Sequence, residues 1–471
     1  MVKTLGAFFS LYLATLILLM GSGLFNTYIG LRLTGLSISE VWVGAMIAAY
    51  YMGLVFGARV GHRLIIQVGH IRAYSASAAL VTITVLLQIL FDDLWIWLGL
   101  RFVAGIAMVT LFIAIESWLN EQTENSARGT VFAFYMVVSC MGTVLGQLML
   151  GVFRNLNYEP LVFVAICCVL SLMPMALTHR LHPALQIPAP LALRYYVARV
   201  PLSLTVLFIA GMLTGAFYGL APVYGRLHGL DNNQVGVFVA TSVAAGLVFQ
   251  WPLGWLADRF SRIRLIRYGA VILVLLGVPL WGWLQVPYLG LLAFSAVLGI
   301  LQFTLYPMGA AFANDNVDPE RRVGLSALLY MVYGVGACLG PLVAGVLMQS
   351  WGSDVYFVYV SACAVVLVIF IREQKVKGTH LSEDAPTHFV PMADTLQNSH
   401  VMAVLDPRVD VQHDISHDPV IDDAGVDDPG LHDAALARDQ QADGEQGQGD
   451  AQDVQPPQPF AKDPGADQRT H

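Results

Sequence analysis

The stretch "RFVAGIAMVTLFIAIESW", Arg101 to Trp118, decides how the chain must be read. Fourteen uncharged residues separate its opening arginine from Glu116. A helix rises ~1.5 Å per residue and needs roughly 20 mostly apolar residues to cross about 30 Å of hydrocarbon. This run is therefore the interior of a membrane span. Its two charges are costly there unless each faces protein or water.

Comparable windows recur along the chain. Twelve stand near 6–30, 41–60, 73–91, 95–118, 130–153, 160–178, 202–223, 234–256, 266–285, 288–312, 324–349 and 354–371. The composition agrees: of 471 residues, 56% are hydrophobic and 12% charged, about half the charge of a soluble surface. The net charge of −8 averages two unlike parts: residues 1–378 carry 21 Lys+Arg against 14 Asp+Glu, and the remainder carries 4 against 19. Within residues 1–378 lysine occurs only at Lys3, Lys375 and Lys377, none in a GxxxxGK phosphate loop, so nothing points to a nucleotide-driven pump.

Basic residues accumulate in cytoplasmic loops, which tests the span count. With the N-terminus inside, 17 of the 21 basic residues of this part fall on the cytoplasmic side, leaving Arg32, Arg154 and Arg226 outside and Arg101 within a span. Twelve spans with both ends cytoplasmic satisfy this separation. The run from Leu5 to Ile29 carries no A-x-A cleavage pattern and reads as an uncleaved first span.

Residues 1–178 thus form one six-helix bundle, 179–199 a proline-rich basic cytoplasmic linker, 200–372 a second bundle, and 373–471 an acidic tail expected to be disordered. The tail holds seven of the twelve histidines at no fixed ligand spacing. All five cysteines lie in apolar runs without a CxxC pair, so no metal or disulfide is expected.

The two bundles repeat at an offset of 192–195. "RLTGL" at Arg32 returns as "RLHGL" at Arg226, and "GLVF" at Gly53 returns at Gly246. Gly142, Gly146 and Gly151 return as Gly336, Gly340 and Gly345, while Glu121 and Arg128 return as Asp315 and Arg322. The fold expected is an all-α membrane protein with twelve transmembrane helices in two pseudo-symmetric six-helix bundles, an architecture of secondary transporters.

"GWLADRFSRIRLIR", Gly254 to Arg267, resembles the loop signature of the major facilitator superfamily, with Gly254, Asp258 and Arg259 in the signature positions. The resemblance implies that this acid and arginine hold helix ends together at a cytoplasmic gate. The related first-half loop, "HRLIIQVGHIR", departs from the signature, with Ile66 and Gln67 in the acid and base positions. "RFVAG", "ESWL", "GQL" and "FTLYP" together look like the YcaD-type branch of the superfamily over residues 1 to about 375, which implies an inner-membrane transporter. The glycine-proline pattern of some antiporters is absent from span 5, where Gln147 follows Gly146.

Features present in both halves are expected to serve the fold or the rocking motion. Glu121 with Arg128 and Asp315 with Arg322 join Gly254, Asp258 and Arg259 as the expected cytoplasmic gate. Polar residues present in one half only are the candidates for substrate or coupling-ion contact: Asn26, Arg101, Glu116, Gln147, Gln250 and Gln302. Arg101, expected to face a central cavity or to snorkel outward, corresponds to Ser295 and also fits the superfamily's span-4 arginine, a position often linked to proton coupling. Glu116 reads as a protonatable coupling acid or a structural acid beside the gate. The amides read as substrate contacts or interhelical hydrogen bonds.

The expectation is a monomeric secondary transporter of a small solute in the inner membrane, working by alternating access. It needs no cofactor, allows proton coupling, has the lipid bilayer as its surroundings, and binds no nucleic acid. A multidrug efflux pump and a transporter-like sensor signalling through the tail are the alternatives. No nucleophile triad, metal cluster or cofactor loop suggests an enzyme.

Overall fold

The computed structural model describes residues 8–123, 127–176, 193–317 and 321–371. They lie in one unit, Met1–Ser416. The tail from 373 and linker residues 179–192 lie outside the described residues.

Long apolar segments become helices because hydrocarbon leaves backbone N–H and C=O groups no partner but each other. The helices are α1 Phe9–Gly35, α2 Glu40–Val68, α3 His70–Leu90, α4 Leu94–Gln122, α5 Arg128–Met149 and α6 Glu159–Leu170, which continues past Ser171 as Leu172–Ala176. The second half follows with α7 Pro201–Leu227, α8 Asn232–Arg259, α9 Arg262–Gly277, α10 Tyr288–Asp315, α11 Arg322–Trp351 and α12 Val355–Phe370. Eleven of these segments are long and apolar enough to cross a membrane. The twelfth, α12, is apolar but only 16 residues long. The window expected over 266–285 ends early, where a single 3-10 turn containing Pro279 follows Gly277.

Local chemistry sets the helix ends. Asp93 accepts from the backbone N–H of Trp95 and Ile96 at the start of α4. Asp231 and Gln234 form a reciprocal capping box at the start of α8. Gly69, at φ 85°, allows the abrupt passage from α2 to α3 in a conformation that L side chains resist.

Within the first half, α1 packs on α5 and α6, α2 on α4, and α3 on α4 and α6. The second half repeats this with α7 on α11 and α12, α8 on α10, and α9 on α10 and α12. The repeat holds at atomic register. A Cβ at Gly146 would lie 2.2 Å from the Met20 carbonyl, and one at Gly340 would lie 2.1 Å from the Met212 carbonyl. The expected role of these glycines, close helix approach, is the one they have.

The halves meet along α2–α11 and α5–α8 and, between them, where α7 packs on both α1 and α2. We call the end where α1 begins proximal and the other distal. The tight backbone approaches between halves cluster distally: Gly30 on the Gly219 carbonyl, Gly44 on that of Pro341, Gly345 on that of Glu40, and Gly236 on that of Gln147.

Candidate functional site

Arg101 sits two turns into α4 from the distal end and is wholly buried. Its Nη2 donates to Asn26 Oδ1 on α1 at 2.6 Å, and its Nε makes a long 3.5 Å contact with the Met46 carbonyl on α2. The guanidinium carbon lies 4.6 Å from the ring centroids of both Phe25 and Tyr50. Asn26 is itself oriented by donating from Nδ2 to the Ser22 carbonyl at 3.0 Å. Aromatic faces and an amide oxygen therefore receive this cation, and among the described residues no carboxylate forms a salt bridge with it. Its Nη1 has no hydrogen-bond partner among the described residues. Beside it, a water-sized cavity of about 10 Å³ is lined by Ser22, Phe25, Tyr50, Ala104, Met108 and others.

The second half shows what Arg101 replaces. Ser295, its expected counterpart, donates from Oγ to the Phe238 carbonyl at 2.8 Å, just as Arg101 reaches Met46. Both contacts clasp the fourth helix of a half to the second. Arg101 adds a charge and a bond to the first helix. Snorkelling to the surface, one of the two expectations, does not occur, because the rings and Asn26 hold the guanidinium inside the bundle.

Glu116 is also wholly buried and accepts from Tyr135 Oη on α5 at 3.1 Å. Beside it in sequence, Ser117 Oγ lies 2.9 Å from His70 Nε2 at the start of α3. Arg101 and Glu116 thus share a helix, and each is held by its own polar and aromatic neighbours.

The amide candidates divide. Gln147 is used up between helices: its Nε2 donates to the Gly23 carbonyl at 2.9 Å, and its Oε1 accepts from Thr27 Oγ1 at 2.7 Å. That leaves interhelical bonding as its role in this state. Gln250 and Gln302 are buried in the second half. Gln250 Nε2 makes a long 3.5 Å contact with the Phe303 carbonyl, and Gln302 Nε2 has no hydrogen-bond partner among the described residues. Among the candidates, a hydrogen bond brings Arg101 and Asn26 together.

At the proximal end the central cation is Arg262, which the signature passed over. At the first position of α9 it forms an ion pair with Asp315 at the end of α10 and reaches Asp258 on α8 at 3.7 Å. Arg259 instead stacks on Trp255, 3.9 Å from its ring centroid. The resemblance pointed to Arg259 as the gate cation, whereas in this arrangement the cation that meets Asp258 and Asp315 is Arg262, on the far side of the α8–α9 turn. Gly254 is buried one turn earlier, and Arg322 is buried at the start of α11. Arg128 opens α5, half-buried. The side chain of Glu121 lies outside the described residues. In the first half His70 stands 192 residues before Arg262 and has Ser117 as a hydrogen-bond partner.

The last part of the linker is a short helix, Leu193–Arg199, docked beneath the second half. Arg199 Nε donates to the Asn316 carbonyl at 3.1 Å, Tyr196 Oη donates to the Arg321 carbonyl at 3.0 Å, and the Arg321 guanidinium lies 4.4 Å from the Tyr195 ring centroid. Only the basic character of this stretch hinted at such a role.

Comparison with known proteins places this geometry. An uncharacterized MFS-type transporter of Yersinia pestis (strain Pestoides F) is 30% identical over 349 residues, 74% of this chain and 90% of the relative. The uncharacterized MFS-type transporter YcaD of Escherichia coli O45:K1 (strain S88 / ExPEC) is 28% identical over 362 residues, covering 76% and 92%. Among solved structures, the nucleoside transporter NupG superposes with a TM-score of 0.67 at 15% identity over 78% of this chain and 98% of its own. A bacterial homolog of the human lysosomal transporter Spinster, solved inward-facing and occupied, gives 0.62 at 15% identity, covering 77% and 93%. The family model of the Major Facilitator Superfamily matches residues 11–300 and 206–405. With that match over most of the chain, and with eleven helices among the described residues long and apolar enough to cross a membrane, the chain belongs to the major facilitator superfamily of membrane transporters.

Proposed function

We propose that the chain is a secondary active transporter that moves a small solute by rocking its halves about the helix pairs they share, with proton coupling through α4. The observation that carries the coupling is the pair of wholly buried charges, Arg101 and Glu116, on one helix of one half, with Ser295 and Ala310 at the corresponding places. A charge kept inside a bilayer span costs several kcal/mol, so its retention favours a functional role. Proton uptake at Glu116 neutralises the carboxylate that Tyr135 now contacts, and protonation and solute binding then bias the same two-state equilibrium.

The tight backbone approaches between the halves, which cluster at the distal end, support an arrangement closed distally. With the basic loops proximal, the positive-inside tendency makes the proximal end cytoplasmic and the state inward-facing, in the inner membrane. The likeness to the inward-facing Spinster homolog agrees with this orientation. Purified protein in vesicles with an imposed pH gradient tests the coupling. Glu116→Gln is expected to abolish the response of solute flux to the gradient while leaving counterflow exchange, and a gradient response equal to that of the parent protein refutes it.

A further inference from the structure

We propose that Asn232 is the latch of the distal gate, the residue that holds α8 of the second half onto the end of α5 of the first. The inference rests on the alternating-access reading. It begins with an asparagine that its own helix does not need. Asn232 is the first residue of α8, and the N-terminus of that helix is already capped by Asp231 and Gln234, whose side chains and backbone N–H groups bond reciprocally at 2.7 and 3.0 Å. Relieved of capping, Asn232 reaches across to the other half. Its Nδ2 donates to the Phe153 carbonyl at 2.9 Å and to the Arg154 carbonyl at 3.2 Å. Both neighbours only accept, so the amide nitrogen must face them.

Those carbonyls follow the 3-10 turn Leu150–Val152 that ends α5, where a helix leaves C=O groups without partners. Asn232 therefore supplies a cap in trans. The surroundings permit it: Gly236 brings α8 so close that a Cβ would lie 2.4 Å from the Gln147 carbonyl, and a Cβ at Gly151 would lie 2.5 Å from Asn233 Oδ1. The positive end of α8 also meets the negative end of α5.

The pseudo-symmetric seam, α2 on α11, has the same backbone approach without the donor. Offset by 192, Glu40 stands where Asn232 does, and an ionised carboxylate can only accept. The distal gate is thus latched along α5–α8 and merely packed along α2–α11. Opening toward the distal side requires Asn232 to release both carbonyls.

The test uses the full chain with Cys338→Ser, the other four cysteines being buried. Spin labels are attached at Leu36→Cys and Leu227→Cys, two exposed distal positions on opposite halves. Asn232→Ala removes the donor and is expected to raise the long-distance, distally open population roughly 2- to 10-fold, the change that one or two net hydrogen bonds allow. Asn232→Asp separates latch from fold. A carboxylate at a helix N-terminus favours the helix, so thermal stability is unchanged or higher, yet it repels both carbonyls and opens the gate further. Two populations in the parent protein whose ratio ignores both substitutions overturn the latch alone. A single unchanging distance in every form overturns alternating access, and the latch with it.

Discussion

At the scale of single residues, Arg101 and Ser295 show how one backbone contact can be kept while its chemistry changes. Both bond the carbonyl of the second helix in their half, at Met46 and Phe238, but only Arg101 brings a charge and a claim on Asn26. Arg101→Met alone leaves the buried Asn26 Oδ1 without its donor and is expected to cost about 1–3 kcal/mol in detergent unfolding. Adding Asn26→Leu removes the stranded group, and the double variant is expected to recover most of that loss, because replacing buried polar pairs by apolar side chains is often neutral. Both variants are expected to lose proton-driven flux. Gln147→Leu removes the partner of Thr27 Oγ1 and a second donor from the Gly23 carbonyl, and is expected to lower stability by about 1 kcal/mol without altering solute preference in competition assays. Sequence distinguished Arg101 and Glu116 because a charge in hydrocarbon has few explanations. It did not separate Gln147 from Gln302, because an amide satisfied by a neighbouring helix and one with an open nitrogen look alike in one dimension.

Among elements, the α8–α9 turn behaves differently from its signature. The cation nearest the signature acid in sequence, Arg259, points to Trp255, while Arg262 ties α9 to α10 and reaches back to α8. Arg262→Ala is therefore expected to destabilise by about 2–4 kcal/mol in thermal unfolding, since it leaves a mostly buried carboxylate without its cation. Arg259→Ala is expected to stay within about 1 kcal/mol of the parent protein. Periodicity and hydropathy located every long helix, because a segment crossing hydrocarbon must be both apolar and internally bonded. Pairings across a turn depend on which rotamers the neighbouring helices admit, so Arg262 emerged only from the folded packing. The docking of Leu193–Arg199 depended equally on carbonyls presented by Asn316 and Arg321, more than 100 positions further along the chain.

For the whole molecule, the repeat was legible because duplicated glycines serve duplicated contacts: Gly146 on Met20 and Gly340 on Met212 perform one job twice. The direction of closure was not legible, since it depends on which ends of the halves touch. Gly236→Ala adds a methyl group 2.4 Å from the Gln147 carbonyl, so it is expected to force the halves apart distally and lengthen the distance between spin labels at Leu36→Cys and Leu227→Cys.

The docked helix Leu193–Arg199 also bears on how the polypeptide can be divided. Because Tyr196 and Arg199 bind the second half, the covalent tie between the halves shortens to residues 177–192. Those residues span at most about 56 Å when fully extended. A nick in that interval leaves both sets of glycine contacts intact and the short helix on the fragment it serves. Two fragments expressed together from such a split gene are expected to reassemble and be recovered as a stoichiometric pair, whereas a cut between Arg199 and Pro201 separates the helix from its seat and is expected to lower the yield of the pair.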